Sequence, residues 1–345
     1  MDSFQVCQRL VPELTDKLRG RYRVLQRILL DQPIGRRSLA GVLGTTERIL
    51  RADVEFFKEQ GLIDVGPLGM SLTEAGQGLI GDLDSVVRML DGRQEIEARL
   101  AACLGVGRVV AVPGDSQADE SVMRDIGYAA AQVLREFLRP PCIVGVTGGT
   151  TMAALADVMP RAPHPQAVEV VPARGGLGER VELLANTIAS RLADRLGGTY
   201  RMFHVPESLS RKTAERLAME PAVAGIVERI RLADIVVHGI GDALAMARRR
   251  GLDAGTVAFL QERGAVSEAF GYYFNAEGQI VHVMNTVGLR LEDLPRIRAV
   301  IAVAGGAAKA AAIRSAARAY RMDALITDEG AARAILSAVD AGPQI

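Results

Sequence analysis

In the stretch LVPELTDKLRGRYRVLQRILL, apolar residues recur at Leu10, Leu14, Leu18, Val24, Leu25, Ile28 and Leu29, a mostly helical spacing that stops at Asp31 to Pro33. That spacing predicts one amphipathic helix. RRSLAGVLG follows with Leu39, Val42 and Leu43 apolar, a second and shorter helix. Thr45 and Thr46 then stand where N-caps belong, ahead of ERILRADVEFFKEQG, whose predicted apolar face is Ile49, Leu50, Val54 and Phe57 and which Gly61 closes. LIDVGPLGMSLT reads as two short extended pieces around a glycine-rich turn, a small hairpin. Helix, short helix, turn, longer helix and hairpin in this order predict a winged helix-turn-helix over residues 1–73.

From residue 74 to 104 the pattern is again helical, a predicted connector with Asp, Glu and Arg on one side. Beyond it the texture changes to glycine-punctuated apolar runs: RVVAVPG, CIVGVTGG, AVEVVPARGG, TYRMFHVP, DIVVHGIG, RAVIAVAGG and DALITDEG. Most are continuous rather than alternating, as strands buried on both faces of a parallel sheet must be. Helical stretches such as MRDIGYAAAQVLREFL and ERVELLANTIASRLADRL lie between them. Residues 105–345 are therefore predicted to form a doubly wound α/β domain, where ligands bind beyond the carboxyl ends of the strands.

Composition supports folded cores, with 49% hydrophobic against 24% charged residues in a chain of 345. Forty-one basic and 41 acidic residues cancel, so binding to a polyanion has to rest on local clustering. Cys7, Cys103 and Cys142 stand far apart, as do His164, His204, His238 and His282, which suggests neither a disulfide framework nor a metal site. No signal-like segment or membrane-length apolar run is present, which predicts a cytoplasmic protein without a membrane partner. Aromatics at 4% and the absence of Trp leave no platform for stacking single-stranded bases.

Charge does cluster at the N-terminal end. Lys17, Arg19, Arg21, Arg23, Arg27, Arg36 and Arg37 face only Asp31 in that span, a local excess of six positive charges. Thr45, Thr46, Glu47, Arg48 and Arg51 occupy the start of the predicted recognition helix, the part that reaches base edges in a major groove. Arg36 and Arg37 are expected at backbone phosphate. A winged domain used for protein contacts, with a solvated basic face, is the alternative.

In the second half, VTGGTTMAALA joins a strand to a helix through Gly148 and Gly149, whose amides a ligand can approach, and Thr150 and Thr151, whose hydroxyls add donors at a positive helix end. Such a turn suits a phosphate monoester, and serves plain packing as readily. Three further groups follow apolar runs. Arg174 is either a bidentate phosphate ligand or a surface arginine at a turn. Lys309 returns its ammonium to the sheet edge or is solvated. Glu268 accepts sugar hydroxyls or belongs to a core salt bridge. Arg250 ends the run Arg248 to Arg250 before Gly251, where cations offset a helix dipole in any case. His238, in the strand IVVHGIG, reads as a buried histidine rather than a catalyst. With no GxSxG elbow and no HExxH helix, the residues point to binding rather than catalysis.

Eight stretches in order, VTGGTTMAALA, PARGGLGE, LANTIA, GTYRMFHVPESLS, VVHGIGDALAMARRR, AVSEAFGYYFNAEG, IAVAGGAAKA and ITDEGAA, resemble the SorC family of bacterial transcriptional regulators, in its branch controlling glycolytic genes. The resemblance covers nearly the whole chain. It implies an operator-binding winged helix and an effector domain similar to the fold of glucosamine-6-phosphate deaminase and ribose-5-phosphate isomerase. It further implies a non-enzymatic repressor without cofactor, a homo-oligomer from dimer to tetramer, and a phosphorylated sugar, fructose-1,6-bisphosphate, as effector. Carried over by motif, Gly149, Thr150, Thr151 and Lys309 would line one phosphate site, Arg174 and Arg250 would bind phosphate, and Glu268 would face sugar hydroxyls. Leu183 and Leu184 depart from the pattern where relatives can carry a polar group. A regulator answering another phosphosugar, or an isomerase or deaminase of the same fold, are the alternatives.

Overall fold

The structure, a computed structural model, describes residues 10–176, 180–206 and 209–342. Cys7, the LGE of PARGGLGE and the Glu-Ser of HVPESLS lie outside them. The chain divides into two compact units, the first ending at Glu95 and the second starting at Ile96.

In the first unit, helix α1 spans Pro12–Asp31, α2 Arg36–Val42 and α3 Glu47–Glu59. Strands β1, Ile63–Gly66, and β2, Gly69–Leu72, pair antiparallel from Ile63↔Leu72 to Gly66↔Gly69. Ile34 adds a single bridge to Met70, so close that a Cβ on Gly69 would lie 2.6 Å from the Ile34 carbonyl carbon. The winged helix-turn-helix is thus present in the expected order. Its core is Leu25, Ile28, Leu39, Leu50, Val54, Phe57 and Met70. Two expectations about apolar faces fail. Leu10, before α1 starts at Pro12, is 78% exposed, Leu14 is 67% exposed although it lies within α1, and Ile49 is 59% exposed because it stands about 100° around α3 from the buried Leu50, Val54 and Phe57.

Where one connector helix was expected over 74–104, the chain forms two. Helix α4, Glu74–Leu90, is capped by the Thr73 hydroxyl accepting from Gly76 N, and buries Ile80 and Val87 in the first unit's core. Tyr22 donates to Asp84 at 2.8 Å and Arg19 to Asp91 at 2.7 Å, which ties α1 to α4. Gly92, at φ 67°, then ends α4 in the left-handed conformation that lacks a Cβ penalty. Helix α5, Arg93–Leu104, contributes Leu100 to the core of the second unit.

The second unit is built on a seven-stranded sheet: β3 Arg108–Val112, β4 Cys142–Val146, β5 Val168–Pro172, β6 Thr199–Tyr200, β7 Ile235–Gly239, β12 Ala299–Val303 and β13 Ala324–Asp328, in the order β3-β13-β12-β7-β4-β5-β6. Every pairing in it is parallel. All seven predicted runs supply a strand, the continuous apolar ones buried on both faces and β6 a short exposed edge. Helices α6 Val122–Phe137, α7 Thr150–Val158 and α8 Ala185–Leu196 cover one face, with Ile126, Met152 and Ile188 fully buried against Val144, Val237 and Ile301. The opposite face, covered in part by α9 Arg211–Met219 and α10 Pro221–Arg231, carries Val171, Val236 and Val300 beneath Phe203, Ile230, Phe270 and Phe274.

A second sheet was not anticipated. Strands β8 Gly241–Asp242, β9 Ala265–Ala269, β10 Tyr272–Asn275 and β11 Ile280–Val283 form an antiparallel sheet in the order β11-β10-β9-β8. It is inserted between β7 and β12, and α11 Ala243–Arg249 and α12 Ala254–Glu262 lie within the insertion. Chain order on the main sheet runs outward from β4 to β5 and β6 on one side, and from β7 to β12 and β13 on the other. The gap between the carboxyl ends of β4 and β7 is therefore a topological switch point, the usual crevice for a ligand.

Candidate functional site

The glycine turn sits at that switch point. Thr147, after β4, accepts from Gly239 N of β7 at 3.2 Å through its hydroxyl, and Thr151 is so close behind that a Cβ on Gly239 would lie 3.3 Å from its Oγ1. Thr151 is buried and Thr150 exposed at the start of α7, where first-turn amides lack intrahelical partners. Two parts of the expected cradle are different. The amide of Gly149 donates to the Leu183 carbonyl at 2.9 Å, and a Cβ on Gly148 would lie 2.6 Å from that same oxygen. The glycine pair thus serves the approach of the 181–184 segment and the φ of 124° at Gly149, whose amide is committed, while Thr150 and Thr151 offer anion donors at this turn.

Arg174 follows β5 directly. Ala173 donates to the Val146 carbonyl, Leu289 donates to Ala173, and Arg174 bridges Gly288, so the backbone on both sides is held. Its side chain, 6% exposed, reaches Glu268 of β9 at 3.4 Å. Arg250, at the C-cap of α11, reaches the same Oε1 of Glu268 at 3.0 Å. Gly271 N donates to that oxygen at 2.7 Å. Burial opposes the charge on Glu268, but the guanidinium of Arg250, then that of Arg174, outweigh it and hold the carboxyl below its usual range.

The turn behind this cluster is strained. Phe270 has φ 54°, a left-handed conformation costly for a residue with a Cβ, and Gly271 follows at φ 84°. A Cβ on Gly271 would lie 2.9 Å from Arg174 Nη1, which is why glycine stands there. Phe270 packs on His238, with ring centroids 4.4 Å apart, and Tyr320 lies 5.6 Å from the same imidazole. His238 Nδ1 bonds the Gly239 carbonyl at 3.0 Å, which makes it the donor and leaves Nε2 an acceptor. That Nε2 and the Tyr320 hydroxyl are both buried without a hydrogen-bond partner among the described residues. Burial pushes the His238 value down from 6.5 to about 4, so the ring is neutral. It supports the site from behind, as expected of a buried histidine.

Lys309 ends a short 3-10 turn, Ala307–Lys309, after β12. Desolvation lowers its value, opposed by the charges of Asp328 and Asp242. The glycine turn before it is closed to anions. Gly306 N donates to Asp328 at 2.7 Å, Ala307 N to Asp115 at 3.3 Å and Ala308 N to Gln117 at 3.1 Å. Asp328 also accepts from both Ser116 N and Ser116 Oγ and from Ala331 N. Asp115, Ser116 and Asp328 were missed as residues that shape this end of the sheet; an acid directly after the apolar run of DALITDEG was the available signal. Among the described residues, no group of His, Cys, Asp and Glu could hold a metal ion.

In the first unit, Thr46 is the N-cap of α3, its hydroxyl accepting from Ile49 N at 3.4 Å, and Thr45 instead donates its amide to Ala40. Arg48 and Arg51 are exposed on the first turns of α3, and neither has an acidic partner among the described residues. Arg36 and Arg37 form the exposed first turn of α2, where a helix dipole disfavours cations. Part of the predicted basic cluster is committed within the unit. Lys17 and Arg21 both hold Asp53 at 2.7 and 3.1 Å, Arg19 holds Asp91, and Arg27 is buried beside Asp31. Arg23, Arg36, Arg37, Arg48 and Arg51 remain as exposed cations.

The family model of the CggR N-terminal DNA binding domain matches residues 18–87, and that of a sugar-binding domain matches residues 89–337. The chain is similar to the central glycolytic genes regulator of Priestia megaterium, 44% identical over 334 residues that cover 96% of this chain and 97% of that one. It is 41% identical to the regulator of the same name in Bacillus subtilis, over 96% of this chain and 98% of the relative. Among solved structures, a SorC family transcriptional regulator from Enterococcus faecalis matches 70% of this chain and 99% of its own, with TM-score 0.65 and 40% identity. The full-length sorbitol operon regulator SorC from Klebsiella pneumoniae matches 91% of this chain and 98% of its own with TM-score 0.68, at 18% identity a likeness of fold alone. A winged helix with exposed arginines, a sugar-binding α/β unit with cations gathered at its switch point, and relatives of this identity over nearly the full length place the chain in the SorC family of transcriptional regulators.

Proposed function

We propose that this sugar-responsive, DNA-binding regulator represses central glycolytic genes and that its effector is a phosphorylated sugar, fructose-1,6-bisphosphate, which weakens cooperative operator binding by an oligomer. The observation that carries the effector reading is the meeting of Arg174 and Arg250, from different parts of the fold, on one oxygen of Glu268, which β9 pairs with Gly241 just after β7. Two guanidiniums already buried and held lose little freedom when they grip a phosphate, so more of the contact energy is retained as affinity. Thr150 and Thr151 offer a second anion site at the N-terminus of α7, and Lys309 adds charge from the next strand end; two anion sites favour a bisphosphate.

Of the two readings open for Glu268, the ion pair stands in place of the sugar contact implied by the resemblance: Glu268 stores both arginines, and a bound phosphate competes with it for them. Because Arg250 stands at the end of α11 and Arg174 on the loop bridged to Gly288, that competition shifts the inserted sheet relative to β5. A ligand can bias the assembly on DNA only through such a difference in affinity between two states. The DNA contacts assigned here are Arg36 and Arg37 at phosphate, and Thr45, Thr46, Arg48 and Arg51 at or near base edges.

Calorimetric titration with fructose-1,6-bisphosphate, fructose-6-phosphate and deoxyribose-5-phosphate, repeated on Thr151→Ala and Arg174→Ala, tests the proposal. Tightest binding of the bisphosphate, lost in both variants, is the expected result. A preference for a monophosphate replaces the effector, and binding that survives both substitutions moves the site elsewhere. An operator affinity unchanged by saturating ligand rejects the coupling.

A further inference from the structure

Ile49 is the one residue of the predicted α3 core face that the structure leaves outside. Leu50, Val54 and Phe57 are 2%, 3% and 1% exposed, whereas Ile49 is 59% exposed. At 100° per residue the three buried positions fall within a narrow arc, and Ile49 stands about 100° away on the flank it shares with Ala52 and Phe56. Ala52 is exposed, and Phe56 is covered by the guanidinium of Arg21 at 3.6 Å from its ring. The flank therefore ends, towards the helix N-terminus, in an uncovered apolar pair. Lone apolar residues on a general surface need no explanation. This one lies on the first turn of the second helix of a helix-turn-helix, whose first two turns also carry the exposed Arg48 and Arg51, without acidic partners among the described residues.

Its position is also fixed. The Thr46 hydroxyl accepts from the amide of Ile49 itself, and Asp53, one turn on, is held by Lys17 and Arg21. A branched side chain on that turn has little rotamer freedom to lose. In a major groove, thymine alone of the four bases presents a methyl group, which apolar side chains recognise, while arginine reads guanine. We propose that Ile49, backed by Ala52, reads the 5-methyl of a thymine next to a base contacted by Arg48 or Arg51, so that α3 specifies sequence by shape as well as by charge. The inference rests on α3 being the helix that enters the groove.

The test uses the full chain and a duplex selected by it from a random-sequence pool, with thymines replaced singly by deoxyuridine, which removes the methyl and nothing else. One thymine per half-site is expected to matter, its replacement weakening wild-type binding about fivefold, the order expected for losing one buried methyl. Ile49→Ala is expected to bind the thymine duplex as weakly as wild type binds the uracil one and to lose the discrimination, which Ile49→Val retains. Arg37→Ala, a phosphate contact, weakens both duplexes equally. Wild-type affinity in Ile49→Ala, or a thymine preference that survives it, overturns the proposal. So does a changed self-association of Ile49→Ala without DNA together with unchanged discrimination, which assigns the patch to a second copy of the chain. A pool that yields no enriched sequence fails at the earlier step and overturns base reading by α3 altogether.

Discussion

The two units put arginine to opposite uses. In the first, Arg36, Arg37, Arg48 and Arg51 are exposed and free of acidic partners among the described residues, which suits a polyanion met from solution and makes binding sensitive to salt. In the second, Arg174 and Arg250 are 6% and 11% exposed and share an oxygen of a buried carboxylate, which suits a small anion bound by displacement. Exposure sets range and screening; burial sets geometry and selectivity. The first unit also shows the contrast within itself, since Lys17, Arg19 and Arg21 spend their charge on Asp53 and Asp91 to hold helices together.

The sharpest way to break this contrast is Glu268→Ala. Removing the carboxylate takes away the shared partner of two buried guanidiniums, and the loss of stability is expected to be about 3–5 kcal/mol, measured by urea unfolding. A loss below about 1 kcal/mol, the range of surface pairs, would mean that the buried arginines behave like those of the first unit. The next effect concerns pH. His238 binds its proton in the unfolded chain near 6.5 and in the folded chain only near 4, so its contribution is whole above 6.5 and lost as pH falls towards 4. Glu268 and Tyr320 face it, and with Glu268 held below the usual carboxylate range its charge persists over most of that window. Between pH 7 and pH 5, wild type is expected to lose roughly 2 kcal/mol more than His238→Leu does, by 1.36 kcal/mol per unit. Equal slopes in denaturation at the two pH values would place the imidazole in contact with water.

Salt dependence probes the exposed side of the comparison. Arg37→Ala is expected to reduce the slope of log affinity against log salt by about 0.9, one phosphate contact, whereas Lys17→Ala, whose ammonium already sits on Asp53, leaves the slope nearly unchanged. Equal effects in a fluorescence titration would erase the distinction between committed and available cations. The smallest effect is expected from Tyr320→Phe. Its hydroxyl is buried without a hydrogen-bond partner among the described residues, so deleting it is expected to leave stability unchanged or raise it by about 1 kcal/mol in thermal unfolding. A clear loss would reveal a water held between Tyr320 and His238.

The parallel sheet was legible because strands such as CIVGV and AVIAV are buried on both faces and need no partner to be recognised. The inserted sheet was not. Strand β8 is two residues long, and its pairing of Gly241 with Glu268 joins positions far apart in the chain. The candidates at strand ends were readable one at a time, as a cation or carboxylate after an apolar run. Their mutual arrangement was hidden, because whether Glu268 meets a sugar or two arginines depends on how a hairpin with a left-handed Phe270 folds back on β5.

What the sequence determined by itself was local and repetitive: the winged helix from helical periods and caps, the sheet from apolar runs, and the sites of charge. Tertiary structure alone decided which cations are committed and which are available, and that Gly149 gives its amide to Leu183. The reason is physical. Periodicity names the side of a helix to within a wide arc, but burial and pairing are set by whichever distant segment arrives to cover it.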